Sequence, residues 1–224
     1  MGKRYESDMT TKEKLQAEIE KLKGMTWRER IVHIWAYYKP LLIAVLVIII
    51  AADITIDAVQ EARMEDLLCI GIADANSIDY TDMTQQTDEY EVLEKELLGL
   101  LGSGSKYERV TIDTGIMTWA GETTGYQKIS TMIGAEKLDI LICREAVHQT
   151  YKAQDLFADL ETVLGEDYSR YEAYMTDGAI DLSLSEKWME GSWVRYSPVY
   201  MDVIADCGNY EQVKVFLEYF FPEV

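Results

Sequence analysis

The sequence predicts an α/β protein: one transmembrane helix followed by a single three-layer α/β domain with a mainly parallel sheet. Three observations carry this. Residues 40–52 read PLLIAVLVIIIAA, with no charge. The chain on either side differs in sign: residues 1–40 hold nine Lys or Arg against six Asp or Glu, whereas residues 53–224 hold twelve against thirty-four. Beyond residue 66, short apolar runs alternate with amphipathic stretches at helical spacing, the pattern of strands laid side by side through helical crossovers.

The first element is an N-terminal arm, residues 1–36. Thr10-x-x-Glu13 fits a capping box, which satisfies free N–H groups at a helix start. Leu15, Ile19 and Leu22 recur at helical spacing, and Gly24 is a stop. A second box, Thr26-x-x-Glu29, opens a helix with Trp27, Ile31, Ile34, Trp35 and Tyr38 on one face, an interfacial amphipathic helix. Lys12, Lys14, Lys21 and Lys23 are interleaved with Glu13, Glu18 and Glu20 and make a solvated face, so no nucleic-acid partner is expected.

The span follows. Thirteen residues are short for a bilayer crossing, which takes about 20. The flanking Tyr37 and Tyr38, and Ile54 to Ile56 beyond Asp53, extend it to residues 37–56. Pro40 falls in the first turn of that span, where a missing N–H costs least. Positive charge beside a span stays in the cytoplasm, which places the N-terminus inside and the acidic part outside, with the lipid bilayer as first partner. A cleaved signal peptide fits less well: its charged region would run to nearly forty residues, and a cut after Ala52 would put Ile50 at the minus-three position. Residues 57–65 are read as a linker.

Residues 66–224 are enough for one domain with its own core. Leu67–Ala73 is a buried strand; Tyr90, Leu93, Leu97 and Leu101 mark a helix ended by Gly102; Tyr107–Ile112 is a second strand. Thr123 or Thr124 caps a helix carrying Tyr126, Ile129 and Ile133. Leu138–Cys143 is a third strand, Ala146–Tyr151 a helix, and Val199–Ala205 another strand. Asn209-x-x-Gln212 opens a last helix with Val213, Phe216, Leu217 and Phe220 on one face. Residues 160–198 read as loops, short helices and a small hairpin.

The stretch from Gln127 to Leu160, through LDILI at Leu138–Ile142 and FADL at Phe157–Leu160, resembles a recurring segment of extracytoplasmic solute-binding proteins. The ending Tyr210–Phe221 is similar to their late helix. IWAYYK followed by an apolar run resembles a group of single-pass proteins of Gram-positive bacteria that carry such a domain. The resemblance implies one lobe of a type 2, periplasmic-type binding protein. A complete one has two lobes closing on a solute, and about 160 residues supply one. No lipoprotein-type Cys follows the apolar run.

Chemistry is sparsely marked. His148 is alone in the outer domain, without the second His or neighbouring Cys that a metal or triad site needs, and no catalytic residue, cofactor or metal is expected. Asp74 to Asp79 lacks the Gly and terminal Glu of a calcium loop. Ser103 and Ser105 lack a nucleophile elbow. Cys69, Cys143 and Cys207 are odd in number, and adjacent strands rarely place Cβ atoms for a Cys69–Cys143 bridge. Ligands of open α/β sheets bind beyond the C-terminal ends of the strands. That rule selects Asp74, Asn76 and Ser77 after the first strand, Asp113, Thr114 and Trp119 after the second, Thr123 at the next helix start, and Arg144 and Glu145 after the third. The resulting expectation is a noncatalytic, membrane-anchored interaction or accessory module with a membrane or envelope protein partner. A receptor that passes a small solute to a transporter or sensor is the alternative, and a cell-envelope enzyme a third.

Overall fold

A computed structural model describes residues 10–75, 85–119, 123–191, 193–205 and 207–222. The chain divides into two compact units, residues 1–62 and 63–224.

The first unit is helical. Helix α1 (Thr11–Gly24) carries the expected box: the Glu13 carboxylate accepts from the Thr10 N–H at 2.8 Å, and Thr10 Oγ1 accepts from the Glu13 N–H. Helix α2 (Trp27–Glu61) is one continuous rod of 35 residues, and Glu29 accepts from the Thr26 N–H at 2.9 Å. Two expectations are corrected here. Pro40 lies inside α2 rather than at the start of a separate span. The proposed linker at 57–65 is helical through Glu61, because no Gly or Pro interrupts residues 53–61 and Thr55 donates back to the Ala51 carbonyl at 2.6 Å. Within α2, Ile43–Glu61 is long and apolar enough to cross a membrane, about 28 Å at 1.5 Å per residue. None of this segment is covered by protein: Leu46, Ile48 and Ile49 are each more than half exposed.

The second unit is built on a six-stranded mixed sheet in the order β2-β1-β3-β6-β5-β4. Its elements in chain order are β1 (Glu65–Ala73), α3 (Gln85–Leu101), β2 (Glu108–Ile116), α4 (Thr124–Gly134), β3 (Ile140–Cys143), α5 (Glu145–Lys152), α6 (Leu160–Leu164), α7 (Tyr168–Tyr171), β4 (Met175–Thr176), β5 (Ala179–Asp181), α8 (Glu186–Gly191), β6 (Tyr200–Val203) and α9 (Tyr210–Phe220). The parallel part, β2-β1-β3, contains the two nine-residue strands. From β3 onward the pairing is antiparallel. The α/β layering stands as expected; the finding that differs is the direction of β6, which runs antiparallel to both of its neighbours, β3 and β5.

Strand alternation sorts side chains into two cores. Leu68, Ile70 and Ile72 of β1 and Ile140 and Ile142 of β3 face Leu93 and Leu97 of α3, Trp188 of α8 and Phe216 and Phe220 of α9. Leu141 and Cys143 face the other way, onto Ile129 of α4 and Val147 and Tyr151 of α5. Helices therefore cover both faces. All three cysteines are free. Cys69 and Cys143 cannot meet, because Ile70 is registered with Ile140 and the two cysteines lie several residues apart along their strands.

Candidate functional site

The chain leaves β1 over one face through α3 and leaves β2 over the other through α4, placing β2 and β3 on opposite sides of β1. The C-terminal ends of β1 and β3 thus form a topological switch point, where doubly wound sheets open a crevice. Two of the predicted residues meet there. Asp74 follows β1 with a positive φ of 51°, a left-handed conformation that Asp tolerates better than most residues. Its N–H donates to the Ile116 carbonyl at 2.7 Å. Its carboxylate accepts from the Thr118 N–H and hydroxyl, each at 2.6 Å, and pairs with Arg144 Nη2 at 2.6 Å. The Arg144 guanidinium lies 5.5 Å from the centre of the Tyr196 ring, whose hydroxyl donates to the Ala73 carbonyl at 2.9 Å. Burial pushes the Tyr196 phenol well above its ordinary value and keeps it a neutral donor. Arg144 Nε is buried without a hydrogen-bond partner.

The other predicted residues are arranged differently. Strand β2 runs to Ile116, so Asp113 and Thr114 lie within it rather than after it. As an edge strand β2 tolerates polar residues on an open face, and this hid its true end. Asp113 pairs with Lys128 Nζ at 2.6 Å and accepts from the Gly115 N–H at 2.9 Å, tying β2 to α4. Trp119 is the residue that follows Thr118 at the edge, and it is 45% exposed. Thr123 stands at the N-cap position of α4 but makes no side-chain capping bond. Arg144 likewise precedes α5 without capping it, and Glu145 is exposed in the first turn, where a carboxylate suits the helix dipole. Asn76 and Ser77 lie outside the described residues.

A second constellation, on the α5 face, was missed by sequence reasoning. Asp202 of β6 and His148 of α5 are both almost wholly buried, and His148 Nδ1 sits 2.9 and 3.0 Å from the two Asp202 oxygens. Cys143 Sγ donates to Asp202 at 3.7 Å. The imidazole is stacked between Tyr200 (4.5 Å) and Phe157 (5.7 Å). Its burial disfavours charge, yet the hydrogen bond and charge of Asp202 outweigh that and hold the His148 pKa above its ordinary value. The far nitrogen, Nε2, has no hydrogen-bond partner and lies 3.4 Å from Asp177 Oδ2. One signal was available in the sequence: Asp202 interrupts the apolar run Tyr200–Ile204, and a carboxylate in a core strand requires a buried partner.

Cavities flank these features. One of about 260 Å³ is lined by His148, Lys152, Asp155, Phe157, Tyr168 and Met175, among others. Another of about 270 Å³ includes Asp66, Arg109, Asp113 and Lys137, and a third of about 400 Å³ lies between α8 and the end of α9. Among the described residues, no group of three or more His, Cys, Asp or Glu is placed to hold a metal ion. Comparison with protein families, curated proteins and solved structures gives no match, so the functional reading rests on this chain's own geometry.

Proposed function

We propose that the chain is a single-pass membrane protein with its N-terminus in the cytoplasm, whose α/β domain acts outside the membrane as a noncatalytic interaction or accessory module, akin to one lobe of a solute-binding protein. The observation that carries this reading is the uncovered apolar face of α2 over Ile43–Glu61. Leaving so many aliphatic side chains in water is unfavourable by roughly 1.5–3 kcal/mol for each one that lipid would bury. The excess of cations before the span and of carboxylates after it supports the stated orientation. The internal saturation of Asp74 by Thr118 and Arg144 supports a surface that recognises rather than reacts. Protease added to intact cells tests the placement: it should digest the domain while a cytoplasmic control survives, and a protected domain refutes the orientation.

A second reading, a small-solute receptor serving a transporter or sensor, is favoured by one feature, the unpartnered Arg144 Nε at the switch point. Crosslinking in intact cells followed by mass spectrometry separates the two readings. Recovery of a transporter subunit supports the receptor; recovery of other envelope proteins alone supports the accessory module.

A further inference from the structure

We propose that the cavity between α5 and the β4–β5 hairpin is a binding site for a small organic cation, a protonated amine on an apolar body, received by His148 Nε2. This is separate from the switch point and does not depend on where the anchor places the domain.

The argument begins with the proton on His148. Nδ1 is committed to the buried Asp202 carboxylate, so in the neutral ring Nδ1 carries the hydrogen and Nε2 presents a lone pair. That lone pair is buried, unpartnered, and on the side of the ring away from Asp202, where His148 lines the 260 Å³ cavity. A buried acceptor without a donor is costly, so the site calls for a donor. Asp177 is the nearest polar neighbour, but a carboxylate offers none.

The surrounding charge selects the class of donor. Lys152 is the cation at the cavity, and it is spent on Asp177: its ammonium donates to the carbonyl of Asp177 at 2.6 Å and to its carboxylate. Gln149 also donates to that carboxylate at 2.5 Å. Asp155 and Asp159 remain on the rim, the latter accepting from Thr162 at the start of α6. An entering anion would meet two carboxylates. An entering ammonium would find them favourable and would place one N–H on Nε2. The apolar wall of Phe157, Leu160, Tyr168 and Met175 then covers a hydrocarbon body, with two rings to face the charge. The volume lies just below the usual range for drug-sized ligands, which limits the guest to a small molecule.

One consequence is specific to this geometry. A proton on His148 turns Nε2 from acceptor into donor, and the imidazolium then repels the guest. The titratable and charged groups around the ring are Asp202, Cys143 and Tyr200 from the sheet, Asp177 from the hairpin turn, Lys152 from α5 itself, and Asp155 and Asp159 from the following loop; of these, Asp202 and Asp177 favour the proton and Lys152 opposes it. Amine binding therefore competes with a proton.

The test uses the full chain in detergent micelles, titrated calorimetrically with benzylamine against empty micelles, with benzyl alcohol and benzoate as neutral and anionic analogues. At pH 8.5 benzylamine should bind saturably, about tenfold or more tighter than benzyl alcohol, with benzoate weaker still. At pH 6.0 its affinity should fall by about fivefold or more, since a tenfold loss accompanies each unit below the controlling pKa. Met175→Trp, which fills the cavity without touching the His148–Asp202 pair, should abolish binding with the circular dichroism spectrum intact. Asp155→Asn, an exposed change at the rim, should weaken it several-fold and serves if the tryptophan variant does not fold. The proposal is overturned by an absence of saturable heat at pH 8.5, by equal binding of the alcohol, by preference for benzoate, by pH-independent affinity, or by binding that survives both substitutions.

Discussion

Replacing two adjacent isoleucines of α2, Ile48→Asp with Ile49→Asp, probes the proposed anchor most directly. Both are exposed, at 66% and 59%, so the substitution disturbs no packing within the chain. Ten of the nineteen residues from Ile43 to Glu61 are Ile, Leu or Val. On the insertion scale each favours the bilayer centre by about 0.3–0.6 kcal/mol, roughly 3–6 kcal/mol together. Asp53, one residue past the midpoint of this stretch, and Asp57 and Glu61 toward its end offset part of this. An aspartate near the centre costs about 2.5–3.5 kcal/mol, so each exchange shifts the balance by about 3–4 and the pair by about 6–8 kcal/mol. That exceeds the whole apolar gain. The wild-type chain should stay in the membrane pellet after alkaline carbonate extraction, and the double variant should move largely to the supernatant. Retention of the double variant at wild-type levels, or release of the wild type, would refute the bilayer argument, since neither outcome is compatible with insertion driven by these side chains.

Three further outcomes follow from the α/β unit. Gly125→Ala should destabilise it by several kcal/mol in urea unfolding, because an added Cβ would stand 2.0 Å from the Met117 carbonyl oxygen, and overpacking against rigid backbone typically costs about 1–3 kcal/mol or more. Phe216→Ala should cost about 3–5 kcal/mol by the same assay, since this ring of α9 is fully buried in the core shared with β1 and α3. The third concerns pH. His148 has a folded-state pKa raised above 6.5, so its contribution is fully present below about 6.5 and is lost as pH rises through the raised value. The melting temperature should carry a component that declines over that window, and His148→Gln should remove this component; an unchanged pH profile in the variant would show that the imidazole is not linked to folding.

Much of the α/β order was legible because it is written in local patterns. LLCIGIA and LDILIC are apolar on both faces, as strands covered by helices on two sides must be, and they fall in β1 and β3. The α1 box and the helix ended by Gly102 were visible for the same reason: the bonds involved span three or four residues. The direction of β6 was not legible, because Tyr200–Val203 has the same alternation whether it runs up or down the sheet; its partner β3 and the hairpin before it decide. The end of β2 was obscured by Asp113-Thr114-Gly115, polar residues that an edge strand accepts. The site residues divide along the same line. The proximity of Asp74 and Arg144 follows from a rule about strand ends, whereas the His148–Asp202 pair, separated by 54 positions, depends on contact between α5 and an antiparallel neighbour of β3.

The position of that pair bears on what the α/β unit can hold. At the switch point Arg144 is held by Asp74 and rests on Tyr196. The α5 cavity has both walls in one unit: α5 and its following loop form one side, and α7 with the β4–β5 hairpin forms the other. The segment 160–198 contributes Leu160, Tyr168, Met175 and Asp177 to that cavity. The α/β unit thus lines a cavity at its flank that is separate from its strand-end edge. If both are used, a partner seated at Arg144 and an amine at His148 should bind without excluding each other.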